Sequence, residues 1–198
     1  MALVFDGTNG LTVPTWTTAT RPIGPAVGQM GYNTTIGQFD IYTANGWVAV
    51  LNTTSTTNKP SYAGSVLQIV NGTTTTTNTS TTTTVIDTNL TATITPTSST
   101  NKILVLVSQR VYKNQPATAA IMYLQRGGTN LLTDNRVGLN DTTTVGGDQK
   151  WSCCYLDSPA TTSATTYKTQ FSNYNTSGVS YVNLDNNQAQ ITLMEIAQ

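Results

Sequence analysis

Residues 81–112, TTTTVIDTNLTATITPTSSTNKILVLVSQRVY, decide the fold through the spacing of their apolar side chains. Every second residue from Leu90 to Ile94 is apolar and alternates with threonine, which is the period of a β-strand with one buried face. Pro96 and the polar residues after it end this strand. From Ile103 to Val107 every residue is apolar, so a second strand is expected to be covered on both faces. Because one face of an antiparallel sandwich is normally wet, we expect this second strand to face a partner subunit.

Similar short strand signals recur about every ten residues from residue 63 to residue 198. No segment keeps a helical period over the ~11 residues that a helix prediction needs. Many short strands at this spacing favour a β-sandwich or a jelly roll. The sequence therefore predicts an all-β protein, with a small N-terminal β-meander followed by a C-terminal antiparallel β-sandwich, jelly-roll-like, at residues 63–198.

The first part of the chain predicts a short β-meander at residues 29–51. Asn45-Gly46 is a strong signal for a two-residue hairpin, while the prolines and glycines of residues 13–28 predict a loop. Three short strands are marginally stable alone, so this unit is expected to lean on neighbours. We assign residues 1–55 to an N-terminal segment and residues 56–62, which carry no aliphatic side chain, to a linker.

A threonine-rich tract at residues 71–96 has three interpretations: a disordered mucin-like linker, a hydroxyl array that binds a ligand such as ice, and ordinary β-strand. Threonine is β-branched and favours strands, and the tract runs directly into apolar alternation. We therefore predict that one strand ends near Val70 and that Asn71–Gly72 open a loop. A turn is expected around Asn78, and a second strand is expected to begin at about Thr81. The sequence does not decide whether residues 73–80 adopt an ordered conformation.

The composition is unusually poor in charge. Only 9% of the 198 residues are Asp, Glu, Lys or Arg, against about 25% in typical soluble domains. The nine basic residues balance the nine acidic residues, so the sequence predicts no nucleic-acid-binding surface. No apolar run approaches the ~18 residues of a membrane span, and residues 1–10 lack the basic start of a signal peptide. So little charge favours a protein that works inside an assembly.

The sequence lacks the residues on which many catalytic sites depend. No histidine is present, which excludes Ser-His-Asp and Cys-His catalysis. Asp134, Asp141 and Asp148 come nearest to a carboxylate cluster, and a glycoside hydrolase would need two of them placed together. Their Gly- and Asn-rich surroundings favour caps and turns in a loop, and their spacing fits no EF-hand. We therefore predict no enzymatic activity, no catalytic or metal-binding residue and no cofactor; the competing hypothesis is a carbohydrate-active enzyme or a lectin.

Two further groups of side chains have both a structural and a functional interpretation. Cys153 and Cys154 are adjacent and point to opposite faces if they lie in a strand, so we expect two unlinked thiols and not a redox pair. A zinc site cannot be assembled from the usual ligands, because the chain has no histidine and no other cysteine. Four aromatic residues are candidates for stacking on sugars, but strand alternation favours the core: Trp151, Tyr155, Tyr174 and Tyr181.

Four pieces of residues 63–198 match a family pattern in the right order. They are AGSVLQIVNGTTTTTNTSTTTTVIDTNLTATITPTSSTNKILVLVS, YLQRGGTNLL, YLDSPATTSATTYKTQF and ITLMEIAQ. Together they resemble a β-sandwich domain found at the C-terminus of tailed-bacteriophage tail fibres and other virion structural proteins. In the N-terminal part, RPIGPAVGQMGYNTTIGQFDIYTANGWVAV is similar to a short meander of phage structural proteins.

The resemblance implies a bacteriophage virion protein in which residues 1–55 dock onto the particle through other virion proteins. Fibre proteins of this kind are usually homotrimers, and the outward-facing sandwich would contact a bacterial surface glycan or protein. The sequence contains no long shaft, which favours a short fibre or knob. The alternative within the virion is a head decoration or vertex fibre with a stabilising role.

Overall fold

The structure is a computed structural model; side chains are described from residue 13, and the described residues are 4–6, 10–50, 63–138, 143 and 145–198. Within them strands dominate, and the helical residues are two short 3₁₀ turns, Thr18–Thr20 and Leu184–Asn186. The predicted all-β class is confirmed. The chain divides into two compact units, Met1–Pro60 and Ser61–Gln198. The predicted linker, residues 56–62, lies outside the described residues.

The first unit holds a two-stranded ribbon and a four-stranded sheet. The ribbon pairs β1 (Val4–Asp6) with β2 (Gly10–Thr12). The sheet has the order β3 (Thr15–Trp16), β4 (Met30–Asn33), β5 (Gln38–Thr43) and β6 (Gly46–Val50). The last three are the strands of the predicted meander. The turn between β5 and β6 lies at residues 44–45, one residue before the prediction, because Gly46 already pairs with Thr43.

Residues 13–28 are not loop throughout, contrary to the prediction. Thr15 and Trp16 form β3, which pairs in parallel with Tyr32 and Asn33 of β4. The indole of Trp16 is buried over Gly31, at a place where any Cβ would overlap it. The prolines near β3 gave no signal for this close packing, which depends on a glycine more than ten residues away in the sequence.

The second unit is the predicted antiparallel sandwich of two sheets. The six-stranded sheet contains β7 (Val66–Thr74), β8 (Asn78–Ser80), β10 (Lys102–Lys113), β13 (Gly147–Asp157), β15 (Ser180–Val182) and β16 (Ala189–Ile196). The four-stranded sheet contains β9 (Ile86–Ile94), β11 (Ala120–Arg126), β12 (Thr129–Val137) and β14 (Thr165–Asn173). The long strand β10 organises the first sheet: β13 pairs with one edge of it, and β16 and β15 follow each other along the other edge.

The core lies between the two sheets and is built from alternate side chains. In β9 the predicted alternation is confirmed, since Leu90, Ala92 and Ile94 are buried while the threonines between them are exposed. In β10 the inward residues from Ile103 to Val107 are buried against Tyr167 and the other members of the same cluster. Each large apolar side chain that is fully buried contributes about 1.5–3 kcal/mol.

The threonine-rich tract forms more strand than predicted. Strand β7 does not end near Val70 but continues through Asn71 and Gly72 to Thr74, paired with β16. Asn78 is not a turn residue, since Asn78–Ser80 pair with β15 as β8. The next strand begins at Ile86 and not near Thr81. Available partner strands therefore decide where this tract is extended, because threonine suits a strand at every position.

Candidate functional site

The outer face of the six-stranded sheet carries a row of apolar side chains across four neighbouring strands. Ile69, Met194, Leu104 and Leu156 lie directly opposite one another in the registers of β7, β16, β10 and β13. Ile69 is 61% exposed and Leu156 is 53% exposed. Further apolar side chains on the same face adjoin this row. The apolar belt, as we name it, consists of Val66, Ile69, Leu104, Leu106, Cys154, Leu156, Met194 and Ile196.

The belt bears on the prediction that β10 is covered on both faces. On the inner face Ile103 and Val105 are fully buried. On the outer face Leu104 and Leu106 are only half-buried within this chain. Large exposed apolar patches on soluble proteins mark interaction sites more often than scattered apolar residues do. The belt is therefore the strongest candidate interaction surface of the second unit.

The surroundings of the belt are polar but mostly uncharged. Farther along the strands the outer face carries hydroxyl and amide side chains, and the Thr192 hydroxyl donates to Asn71 Oδ1 at 3.1 Å. Beyond them Arg110 forms ion pairs with Asp148 at 2.7 Å and with Asp185 at 3.0 Å. The Arg110 guanidinium holds the pKa of the Asp148 carboxyl below its ordinary value. These charges satisfy one another at a distance from the apolar residues.

The candidate carboxylates do not come together as a site. Asp134 lies in β12 and accepts a hydrogen bond from Trp151 Nε1 at 2.9 Å. Asp148 lies in β13 and pairs with Arg110, so both residues belong to strands and not to the predicted loop. Asp141 lies outside the described residues. Across the described part of the chain, no group of three or more His, Cys, Asp or Glu residues could hold a metal ion.

The cysteines and the candidate aromatic residues are placed separately as well. Cys153 packs against the core and Cys154 is exposed on the opposite face of β13, as expected. Trp151 is buried and Tyr155 is packed against the core. The other two aromatic residues have neighbours of their own: Tyr174 lies under the Arg136 guanidinium, and Tyr181 lies 5.7 Å from Tyr112 between ring centroids. The four do not share one stacking surface.

The outer side of the four-stranded sheet has a shallow groove of about 280 Å³. Asp87 at its side accepts hydrogen bonds from Lys168 Nζ at 2.8 Å and from Gln170 Nε2 at 2.5 Å. The Lys168 ammonium lowers the pKa of the Asp87 carboxyl. The remaining lining residues are Asn89, Leu90, Thr91 and Thr169, so no aromatic side chain is available there to stack on a sugar.

In the first unit, Asp40 organises the side of the sheet that carries Gly31 and the Trp16 indole. Its carboxylate is fully buried, and Oδ2 accepts hydrogen bonds from Asn33 Nδ2 at 2.8 Å, Arg21 Nε at 2.9 Å and Trp16 Nε1 at 3.2 Å. Burial alone would raise the pKa of Asp40, but the three hydrogen bonds and the Arg21 charge outweigh it and keep the pKa below its ordinary value. This cluster fastens β3 and the residues after it onto the meander.

The opposite side of the same sheet is apolar and open. Two rows cross it in register, Met30–Ile41–Val48 and Tyr32–Phe39–Val50. Met30, Phe39, Val48 and Val50 are between 43% and 52% exposed. The six residues of these two rows are named the meander face below. The sheet thus has one polar, fully packed side and one apolar side that the described part of the unit leaves exposed.

Replacing Arg21 by glutamine tests the Asp40 cluster. We expect the first unit to lose about 1 kcal/mol, since the ion pair is partly solvent-screened. The pKa of Asp40 should rise when the guanidinium is removed. A carboxylate with a depressed pKa stabilises the fold above its ordinary pKa, and this stabilisation is lost as pH falls through the folded-state pKa. Since the folded-state pKa is higher in the variant, its first unit should unfold at a higher pH than that of the wild type. Amide hydrogen exchange across residues 30–50 measures both effects; identical acid profiles would contradict the assignment.

No protein-family model matches the chain, and no curated protein matches its sequence. In the described residues, no helix has the length and apolar character that a membrane crossing requires. Among solved structures, the chain is similar to the infectious bursal disease virus VP2 subviral particle, with 14% identity over 92% of this chain and a TM-score of 0.38. It is also similar to the structure of the Gx strain of the same virus, with 13% identity over 88% of this chain and a TM-score of 0.35. The chain spans about half the length of these viral proteins, and at such low TM-scores the likeness assigns no role to it.

Proposed function

We propose that the protein is a bacteriophage virion structural protein that forms a short trimeric fibre or knob. Residues 1–55 attach it to other virion proteins of the particle, and the sandwich of residues 63–198 faces outward. The outward part contacts a bacterial surface glycan or protein. The proposal includes no enzymatic step, no cofactor and no nucleic acid.

Two properties of the sequence support this proposal. The four ordered pieces of residues 63–198 and the meander pattern resemble phage structural proteins. The low charge is compatible with a protein that functions within an assembly, where its hydroxyl and amide groups contact neighbouring copies. Two of the three candidate carboxylates, Asp134 and Asp148, are engaged separately by Trp151 and Arg110, which favours a structural role over the carbohydrate-active alternative.

The meander face is the observation that carries the attachment step. A unit this small has little apolar surface to bury internally, and yet Met30, Phe39, Val48 and Val50 are about half exposed on the open side of its sheet. The polar side of the same sheet is already closed by Trp16, Arg21 and Asp40. A partner that covers the open side would complete the core of this unit, and the proposed partner is another virion protein.

Phage particles that carry the Phe39→Asp protein test this attachment. We expect the amount of protein per particle to fall at least tenfold, because a buried, unpaired charge at the centre of an interface is strongly unfavourable (~3–5 kcal/mol). The matched control is Ala19→Asp, which adds the same charge in the exposed 3₁₀ turn on the Asp40 side of the sheet. Quantitative mass spectrometry of purified particles gives the copy number.

The outcome that contradicts the attachment role is normal incorporation of the Phe39→Asp protein. Purified protein must first show that this variant keeps the wild-type stability to within about 1 kcal/mol, since Phe39 also contacts Tyr32 with ring centroids 5.5 Å apart. Imaging of the particles then separates the fibre from the alternative of a head decoration. Protein found on the head surface, with no projection from the tail, would replace the first function by the second.

A further inference from the structure

We infer that the apolar belt on the outer face of the six-stranded sheet is the surface on which a second copy of this chain packs. The inference adds a specific contact surface to the proposed function. It rests on that function only for the expected number of copies, which is three. It assigns the self-association to the sandwich and to named residues of β7, β10, β13 and β16. The attachment of the first unit to the particle is a separate contact.

The size of the belt fits such a contact. Three of its members, Val66, Ile69 and Leu156, are at least half exposed, and the others are partly exposed. The row crosses three strand spacings of about 4.8 Å each, a width that fits within the apolar centre of a standard interface of about 800 Å² per partner. The belt is also continuous, because its members are direct cross-strand neighbours on one sheet face. Two copies of such a face can pack against each other in the way that the two sheets of a sandwich do.

The chemistry of the belt favours a copy of itself over a charged partner. The belt itself contains no charged side chain; Lys102, opposite Ile196, borders it, and the Arg110 charge farther along β10 is already paired within the chain. Apart from Lys102, the side chains next to the belt on these strands are hydroxyls and amides, which both donate and accept hydrogen bonds and can therefore pair with the same groups of another copy. These polar neighbours include Asn71, Ser108, Ser152, Gln190 and Thr192.

Cys154 is a built-in probe for this contact. It lies in the belt opposite Leu106, and its side chain is exposed in the single chain. Its neighbour Cys153 packs against the core, and burial, together with the nearby Cys154 and Asp134, raises the pKa of the Cys153 thiol to about 12. A maleimide at neutral pH therefore reports on Cys154, because the thiolate is the reactive form. Cys154→Ser gives the background rate.

The experiment combines light scattering, which gives the number of copies, with the rate of maleimide labelling on the full-length chain. We expect the wild type to be an oligomer whose Cys154 reacts at least tenfold more slowly than in the Leu156→Lys protein. The Leu156→Lys protein should be monomeric with native circular dichroism. Val145→Lys, at a side chain that is 70% exposed and outside the strands, is the control and should match the wild type in both measurements.

Every other combination overturns the inference. An oligomer with reactive Cys154 would place the contact elsewhere, and a monomer with reactive Cys154 would leave the belt open to a different partner. A monomer with protected Cys154 would mean that the cover comes from within one chain. Should Leu156→Lys fail to fold, Ile69→Lys on β7 asks the same question from the other end of the row. Particle incorporation is measured independently, so failure of the belt contact and failure of the attachment role are distinguishable.

Discussion

Replacing Glu195 by alanine is expected to lower the free energy of unfolding by about 3–5 kcal/mol. Glu195 is the only glutamate in the sequence and is fully buried on the inner side of β16. Its Oε1 accepts hydrogen bonds from the Thr97 amide at 2.7 Å, the Thr97 hydroxyl at 2.8 Å and Asn101 Nδ2 at 2.6 Å. Its Oε2 accepts one from Gln68 Nε2 at 2.6 Å. Alanine would remove the acceptor of these donors, among which Asn101 is buried, and would open a cavity at a fully buried position.

The variant Glu195→Gln separates the charge from the shape. Its amide oxygen can replace Oε1, but its NH₂ group would face the Gln68 NH₂ group, which also donates to the Thr95 carbonyl at 2.7 Å. We expect a smaller loss of about 1–2 kcal/mol. Denaturant titration of the wild type and both variants gives the three values. Asp185→Asn removes the charge of an exposed carboxylate and keeps a residue type that suits the left-handed backbone there, so it should change stability by less than about 0.5 kcal/mol. An equal effect at Glu195 and Asp185 would contradict the buried hydrogen-bond cluster around Glu195.

The pH dependence of stability provides a second test of the hydrogen bonds around Glu195. Burial would raise the pKa of Glu195, but the hydrogen bonds from Asn101, Gln68 and Thr97 outweigh it and lower the pKa below its ordinary value. The carboxylate therefore stabilises the sandwich fully above pH ~4.5, and this contribution disappears as pH falls through the lower folded-state pKa. The stability of Glu195→Gln should fall less steeply with acid over that window.

Replacing Gly72 by alanine is the second change with a large expected effect, a loss of about 3 kcal/mol or more. A Cβ at Gly72 of β7 would overlap the backbone carbonyl of Thr91 in β9, and it would also crowd Ile191 at 3.1 Å. Since the obstacle is backbone, no change of rotamer relieves the overlap, and the two sheets must move apart. The packing density of protein interiors makes such a shift costly.

The control for Gly72→Ala is Gly128→Ala. Gly128 lies in the turn between β11 and β12, where nothing lies within 4 Å of a built Cβ. We expect its stability to stay within about 0.5 kcal/mol of the wild type. Thermal and denaturant unfolding of the two variants, measured side by side, give the two stabilities. Equal stabilities would contradict the close approach of the two sheets at Gly72.

The fold was predictable from the sequence where a short-range pattern decides it. The alternation from Leu90 to Ile94 and the apolar run from Ile103 to Val107 specify two strands, and the alternation also specifies which side of the first strand enters the core. The boundaries within the threonine-rich tract were not predictable, because threonine is compatible with strand throughout and the partners β15 and β16 lie about a hundred residues away. Pairing at that distance leaves no local mark.

The candidate surfaces were only partly predictable. The two apolar faces of β10 indicated a partner, yet the belt also needs Ile69 and Met194, whose strands are apolar at both odd and even positions in VLQIV and ITLMEI. Three such segments in one chain are a signal that could have located the belt before the structure. The Asp40 and Glu195 clusters carry no such signal, because their donors come from separate parts of the chain.

The position of β16 within the six-stranded sheet has a consequence for how the protein is made. This strand, Ala189–Ile196, lies between β7 and β10 and is the last strand of the sandwich in chain order, whereas β7 is the first. Before β16 is synthesised, β7 and residues 102–108 of β10 lack this partner strand. Their unpaired edges can then pair with other chains. The six-stranded sheet therefore cannot close until the last strand of the sandwich has been synthesised, and folding of the sandwich is expected to be slow and sensitive to any shortening within β16.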